Sequence, residues 1–262
     1  MNEAAAGPLG GAGIVVTRPA RQAAGLAREI AALGGKPLIF PSIVILPPRD
    51  RASLDEAHRR LGEYAYAVFV SANAVEFGVG DPAAWPPQLI AFAPGPGTAA
   101  ALREVGVSDV RLPATTMDSD GLLALPEFAS VAGKDIVIFR GGGGRDVLRD
   151  ALLARGARVL QVDCYRRARP TSNPDGLVEA WRERRIDAVT VTSSEGLTNL
   201  WTLLDEKGHG YFTSTPTFVP HLRIAERARS LGLATVIVTP PADAGLLASL
   251  LEYFASRKTT KT

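Results

Sequence analysis

The chain alternates short runs of β-branched and apolar residues with longer stretches in which apolar positions return every three or four residues. Runs of the first kind, at 13–17, 38–46, 66–70, 89–93, 109–112, 135–139, 158–163, 187–192, 216–219 and 235–239, predict strands. The second kind predicts helices over 20–33, where Leu26, Ile30 and Leu33 share a stripe, and over 145–155, with Leu148, Ala151 and Leu152. Further helices are expected near 51–61, 73–79, 97–105, 175–185, 195–206, 221–231 and 242–255. Apolar strands alternating with amphipathic helices predict an α/β fold whose parallel sheets are covered on both faces.

The pattern is written twice. "GIVVTR" (13–18) resembles "DIVIFR" (135–140), and "AVFVSANAV" (67–75) resembles "AVTVTSSEG" (188–196). "AFAPGPGTAAALREVGV" (91–107) matches "TFVPHLRIAERARSLGL" (217–233), and "DGLLAL" (120–125) matches "AGLLAS" (244–249). Similarities in one order at a nearly constant spacing are the signature of a duplicated α/β unit. Two extended segments closed by prolines, 37–48 and 159–170, break the alternation at matching places. Proline fits edges and connections better than central strands, so both are candidate crossings between domains.

A length of 262 residues accommodates two cores better than one, and 46% apolar with 21% charged residues is an ordinary globular balance. The net charge of +2 is too small to predict a nucleic-acid partner. Arginine nevertheless clusters at 140–149, 155–158, 166–169 and 182–185. Its fork suits carboxylate or phosphate, although solvated helix faces are the simpler reading for most of these residues. A single cysteine, Cys164, excludes an intramolecular disulfide and a cysteine-built zinc site. "MNEAAAGPLGGAG" carries an acid and no apolar stretch, and no apolar run reaches the roughly 18 residues of a membrane span. A cytoplasmic protein without a membrane partner is expected, with 1–12 and 257–262 as flexible tails.

Chemistry gathers where strands hand over to helices. Thr17 and Arg18 follow the first strand, Ser71 and Asn73 another, Gly97 and Thr98 a third, and Ser193 and Ser194 a fourth. Any one of these hydroxyls is most simply a helix cap. Together they form a set of helix N-termini able to receive many anionic oxygens. The run from Arg140 through Gly141 and Gly142 to Arg145 lets backbone approach such a ligand. It matches neither a dinucleotide fingerprint nor a Walker A loop. His58, His209 and His221 lack metal-ligand spacing, and no G-x-S-x-G elbow is present. An enzyme built this way would work by binding and orienting its substrate, with one acid/base group.

The ordered set "VVTRP", "FVSANAV", "PGPGTAAALREVG", "DSDGLLAL", "GKDIVIFRGGGGRDVLRDALLARGARV", "VDCYRRARP", "VTVTSSEGL" and "HLRIAERARSLG" resembles the uroporphyrinogen-III synthase family, from about Gly13 to Phe254. The resemblance implies two flavodoxin-like α/β domains around a cleft. The first comprises 13–37 plus 171–256 and the second 49–161, with 38–48 and 162–170 as a two-stranded interdomain ladder. It implies hydroxymethylbilane, a linear tetrapyrrole bearing carboxylates, as substrate. Loss of water gives an azafulvene, ring D attacks through its substituted carbon, and the macrocycle closes with that ring inverted. No cofactor and no metal are implied. Tyr165 matches the family's acid/base tyrosine, while Ser71, Thr98 and Ser193 match its binding hydroxyls. Where some members carry "GPTTA", this chain has "PHLRIA" (220–225), which makes Arg223 a replacement carboxylate ligand. A monomer, with transient hand-over from the upstream deaminase, is expected.

Two other functions fit parts of the pattern. A non-catalytic two-domain binding module for a polycarboxylate shares the duplicated architecture, since fold does not dictate function. A nucleotide-dependent transferase rests on the glycine loops alone. A fused methyltransferase is not expected at this length.

Overall fold

The structure, a computed structural model, describes residues 7–143 and 146–259. In chain order it begins with β1 (Gly13–Val16), α1 (Ala20–Ala32), β2 (Lys36–Ile39), β3 (Val44–Leu46), α2 (Ala52–Arg59), β4 (Tyr66–Phe69) and α3 (Ala72–Gly78). There follow β5 (Ile90–Phe92), α4 (Pro96–Glu104), β6 (Val110–Arg111), α5 (Ser119–Leu123), α6 (Pro126–Ala129), β7 (Asp135–Gly141), α7 (Val147–Ala154) and β8 (Arg158–Ala168). The chain continues with α8 (Asp175–Arg182), β9 (Ala188–Thr190), α9 (Ser194–Leu203), α10 (Glu206–Ser214), β10 (Thr217–Val219), α11 (Leu222–Ser230), β11 (Val236–Val238) and α12 (Ala242–Thr259).

These elements form two compact units, one from residues up to Val44 together with those from Ala168 onward, the other Ile45–Arg167. The first unit holds a five-stranded sheet in the order β11-β10-β9-β1-β2, with all registered pairs parallel. Successive residues of β1 serve opposite faces. Val15 packs with α8, α9, α10 and α11, whereas Ile14 and Val16 pack with α1 and α12. Period-two alternation of buried apolar side chains on both faces is what a covered parallel sheet requires.

The second unit holds the order β3-β8-β7-β4-β5-β6. Ala67 and Phe69 of β4 join Val137 and Phe139 of β7 beneath α2, α3 and α4. Tyr66, Val68, Ile136 and Ile138 face α5, α6 and α7 on the other side. Between β7 and β4, as between β1 and β9, the strand order reverses. Such a switch point opens a crevice outside the strand carboxyl ends, where ligands bind in folds of this kind.

Several expectations change. The predicted strand 38–46 is two strands: Lys36–Ile39 pairs with β1, and Val44–Leu46 lies beside β8. Pro41 interrupts them, having no N–H for a ladder. Residues 38 and 39 of the expected ladder therefore belong to the five-stranded sheet. The strand expected at 158–163 continues to Ala168. The expected tail 1–12 is packed from Gly7, because Leu9 is buried against α1 and its amide donates to Leu33 O. At the other end α12 reaches Thr259, beyond the expected 255.

Candidate functional site

Every described candidate lies at a strand carboxyl end, because parallel strands deliver all their following loops to one edge. In the six-stranded sheet these are Ser71 and Asn73 after β4, Gly97 and Thr98 after β5, Arg140 to Gly142 at the end of β7, and Tyr165 on β8. Ser71 is the N-cap of α3, its Oγ accepting from Ala74 N–H at 3.1 Å. The same Oγ stands 3.2 Å from the Tyr165 hydroxyl. Gly97 and Thr98 occupy the first turn of α4, behind the N-cap Gly95, where amides have no helical partner.

Tyr165 lines a cavity of about 240 Å³ together with Arg140, Arg149, Gln161, Arg167 and Ser119. The cations there are not equivalent. Arg140, expected to meet a carboxylate of the ligand, is buried at 6% exposure. It donates to Asp146 at 2.7 Å and to Gly141 O at 3.1 Å, with Asp163 3.5 Å away. Its charge is thus matched inside the protein. Arg149 shares Asp146 at 3.3 Å and also meets Asp150 at 2.9 Å. Arg167 is exposed and has no side-chain partner among the described residues. Arg145 lies outside the described residues.

Asp146 ties this cluster together. Its carboxyl is held below the usual range, first by the hydrogen bond from Gln161 at 3.1 Å, then by Arg149 and Arg140. The Cys164 thiol, by contrast, is pushed up to about 12, chiefly by burial. It sits under the site as a neutral donor to Arg140 O at 3.2 Å.

The five-stranded sheet carries Thr17 and Arg18 after β1, Ser193 and Ser194 after β9, and Arg223 after β10. Thr17 is buried and its hydroxyl donates to Thr190 O at 2.8 Å, so its proton is used structurally. Arg18 pairs with Asp243 at 2.5 Å. Ser193 caps α9 by accepting from Gly196 N–H at 2.9 Å. The Ser194 hydroxyl is buried with no partner among the described residues. Arg223 is exposed in the first turn of α11, whose N-cap His221 makes no side-chain cap.

Sequence reading missed Asp146, Gln161, Asp163 and Arg167. The polar residues Gln161 and Asp163 alternating with Val162 and Cys164 were the available signal, since a strand with one wet face reads that way. Among the described residues no group of His, Cys, Asp and Glu could hold a metal, and no helix is long and apolar enough to cross a membrane.

Parallel sheets covered on both faces, with helix caps, free amides and arginines at their strand ends, define an α/β protein with a polar, partly cationic edge. The Tyr165 phenol belongs to that edge. A family model described as uroporphyrinogen-III synthase HemD matches residues 24–248. Uroporphyrinogen-III synthases of Salmonella typhimurium and Escherichia coli K12 are each 34% identical over 247 residues, covering 91% of this chain and 99% of theirs. The chain belongs to the uroporphyrinogen-III synthase family. The fold agrees: the Helicobacter pylori uroporphyrinogen-III synthetase gives a TM-score of 0.58 at 14% identity over 92% of this chain and 99% of that one. A Thermus thermophilus uroporphyrinogen III synthase mutant gives 0.54 at 17% identity, covering 94% and 99%.

Proposed function

We propose that the chain closes hydroxymethylbilane to uroporphyrinogen III, losing water and inverting ring D. The observation that carries this reading is the Tyr165 phenol, held beside Ser71 at an arginine-lined cavity on the sheet's switch point. Either hydroxyl can donate across the 3.2 Å contact between Ser71 Oγ and Tyr165 Oη; when Ser71 donates, the phenol proton is left for the ligand. Donated to the departing hydroxyl, that proton lets the C–O bond break, so that water leaves and an azafulvene remains. Ring D then attacks through its substituted carbon, and the spiro intermediate rearranges to the closed macrocycle. A phenol is a weak acid, so orientation of the bilane supplies most of the rate.

The cavity is smaller than the roughly 300–1,000 Å³ that takes a whole drug-sized ligand. It suits one end of the bilane, with Arg167 and the first-turn amides at Gly97 and Thr98 receiving its carboxylates. Ser193, Ser194 and Arg223 are the corresponding ligands on the other unit. We read the two units as copies of one flavodoxin-like unit. Matching β1 with β7, β2 with β8 and β9 with β4 brings both sheets to one strand order, and the sequence repeats pair the same elements. The reading also makes the protein a cytoplasmic monomer supplied by the deaminase that makes the bilane.

The test couples the protein to hydroxymethylbilane made in situ, oxidises the products and separates the uroporphyrin isomers. Predominantly isomer III is expected. Isomer I alone, from folded protein, would overturn the reading, because the bilane closes to that isomer unaided.

A further inference from the structure

Tyr165 stands where a regular strand would not put it. Val162 and Cys164 face the core beneath α2, α3 and α4, so strict alternation would send residue 165 to the opposite face. Instead, the register between β7 and β8 shifts. Asp163 stands opposite Arg140, and Tyr165 stands opposite Gly141, its neighbour in sequence. β8 thus carries one extra residue, Cys164, and Tyr165 joins Val162 and Cys164 in the same cluster. A β-bulge re-aims a side chain in this way. The displaced backbone is tied on both sides: Gly142 N–H donates to Tyr165 O at 3.0 Å, and Cys164 Sγ donates to Arg140 O at 3.2 Å.

The re-aimed ring lies across Gly141. A β-carbon at 141 would stand 2.4 Å from Tyr165 Cζ, 2.5 Å from Cε2 and 2.8 Å from Oη, all inside the 3.0 Å that real contacts respect. Gly141 has no positive φ, so its backbone would accept any residue. The three nearest atoms all belong to the ring, so it is the ring that demands glycine here. Tyr165 is 2% exposed and packs near Phe77, with ring centroids 6.3 Å apart, so a β-carbon at 141 would have to displace a packed ring.

We propose that Gly141 is a positioning residue: its bare α-carbon and the bulge at Cys164 together seat the Tyr165 phenol beside Ser71. The proposal rests on the reading that Tyr165 acts on the substrate. Three variants test it: Gly141→Ala, Tyr165→Leu and the double variant. Leucine ends near the ring's first carbons, whereas the conflict is with its far end. Gly141→Ala should lower kcat roughly 10- to 100-fold, the scale of a small misplacement of a reacting group, with a smaller change in KM. In the Tyr165→Leu background the same change should lower turnover no further, and the melting temperature should hold or rise. Equal losses in both backgrounds would overturn the proposal, because Gly141 would then act independently of the ring. Should Gly141→Ala fail to fold, the melting comparison still decides, since a double variant less stable than Tyr165→Leu also overturns it. Wild-type turnover in Tyr165→Leu would instead overturn the acid role of Tyr165, and the melting comparison would then judge the seat by itself.

Discussion

At the scale of single residues, the candidate site sets a phenol that reaches the cavity against a thiol that cannot. Tyr165→Phe keeps the ring and its packing and removes only the hydroxyl. Turnover should fall by roughly a hundredfold or less, the lower end of the acid–base range, with KM little changed. Unchanged turnover in the isomer assay would dismiss the phenol as an acid. Cys164 behaves oppositely, because burial holds its thiol near 12 and the reactive thiolate is scarce. A thiol reagent at mildly alkaline pH should leave the folded protein unlabelled and titrate the single cysteine once denaturant is added. Rapid labelling of native protein would show that the pocket beneath Arg140 opens. Ser71 and Thr98 were legible in the sequence because each follows a strand pattern, whereas Tyr165 was reached through the family resemblance and lies inside β8. The closure of Arg140 by Asp146 and Asp163 was not legible, since the pairing depends on the bulge and on which way a loop turns.

At the scale of elements, long periodic stretches announced themselves and glycine-rich ones did not. Residues 206–214, "EKGHGYFTS", carry two glycines and no apolar stripe, yet they form α10. Tertiary contacts account for it. Asp205 accepts from Gly208 N–H at 2.8 Å as the N-cap, Phe212 is fully buried, and the His209 ring stacks on Trp201 with centroids 3.9 Å apart. A helix of weak propensity should lean on its cap. Asp205→Ala is expected to cost about 1 kcal/mol in urea unfolding, within the usual 0.5–2 kcal/mol of such caps. A change indistinguishable from zero would assign the helix to Phe212 and the Trp201–His209 stack alone. The short α5 and α6 escaped notice for a related reason: four or five residues complete too few turns to show a period.

At the scale of the whole molecule, each unit has its own two cores but the acid-sensitive ion pairs are unevenly shared. Among the described residues of Ile45–Arg167 three carboxyls are held below their usual range. Glu127 is held chiefly by its hydrogen bond from Arg111, Asp135 by that from Arg158, and Asp146 by that from Gln161. The other unit has one among the described residues, Glu183, held chiefly by Arg185. A carboxyl whose folded pKa is depressed binds its proton more readily in the unfolded chain. Its contribution is therefore complete above the unfolded value, about 4, and is lost as pH falls through the folded one. These groups are largely exposed, so each contribution is small and salt weakens it. Their number still sets an order. As pH is lowered from 7 toward 3, hydrogen-exchange free energies of β4 and β7 should fall before those of β1 and β9, and added salt should narrow the gap. If β1 and β9 lost protection first, the acid response of the molecule would lie outside these four pairs.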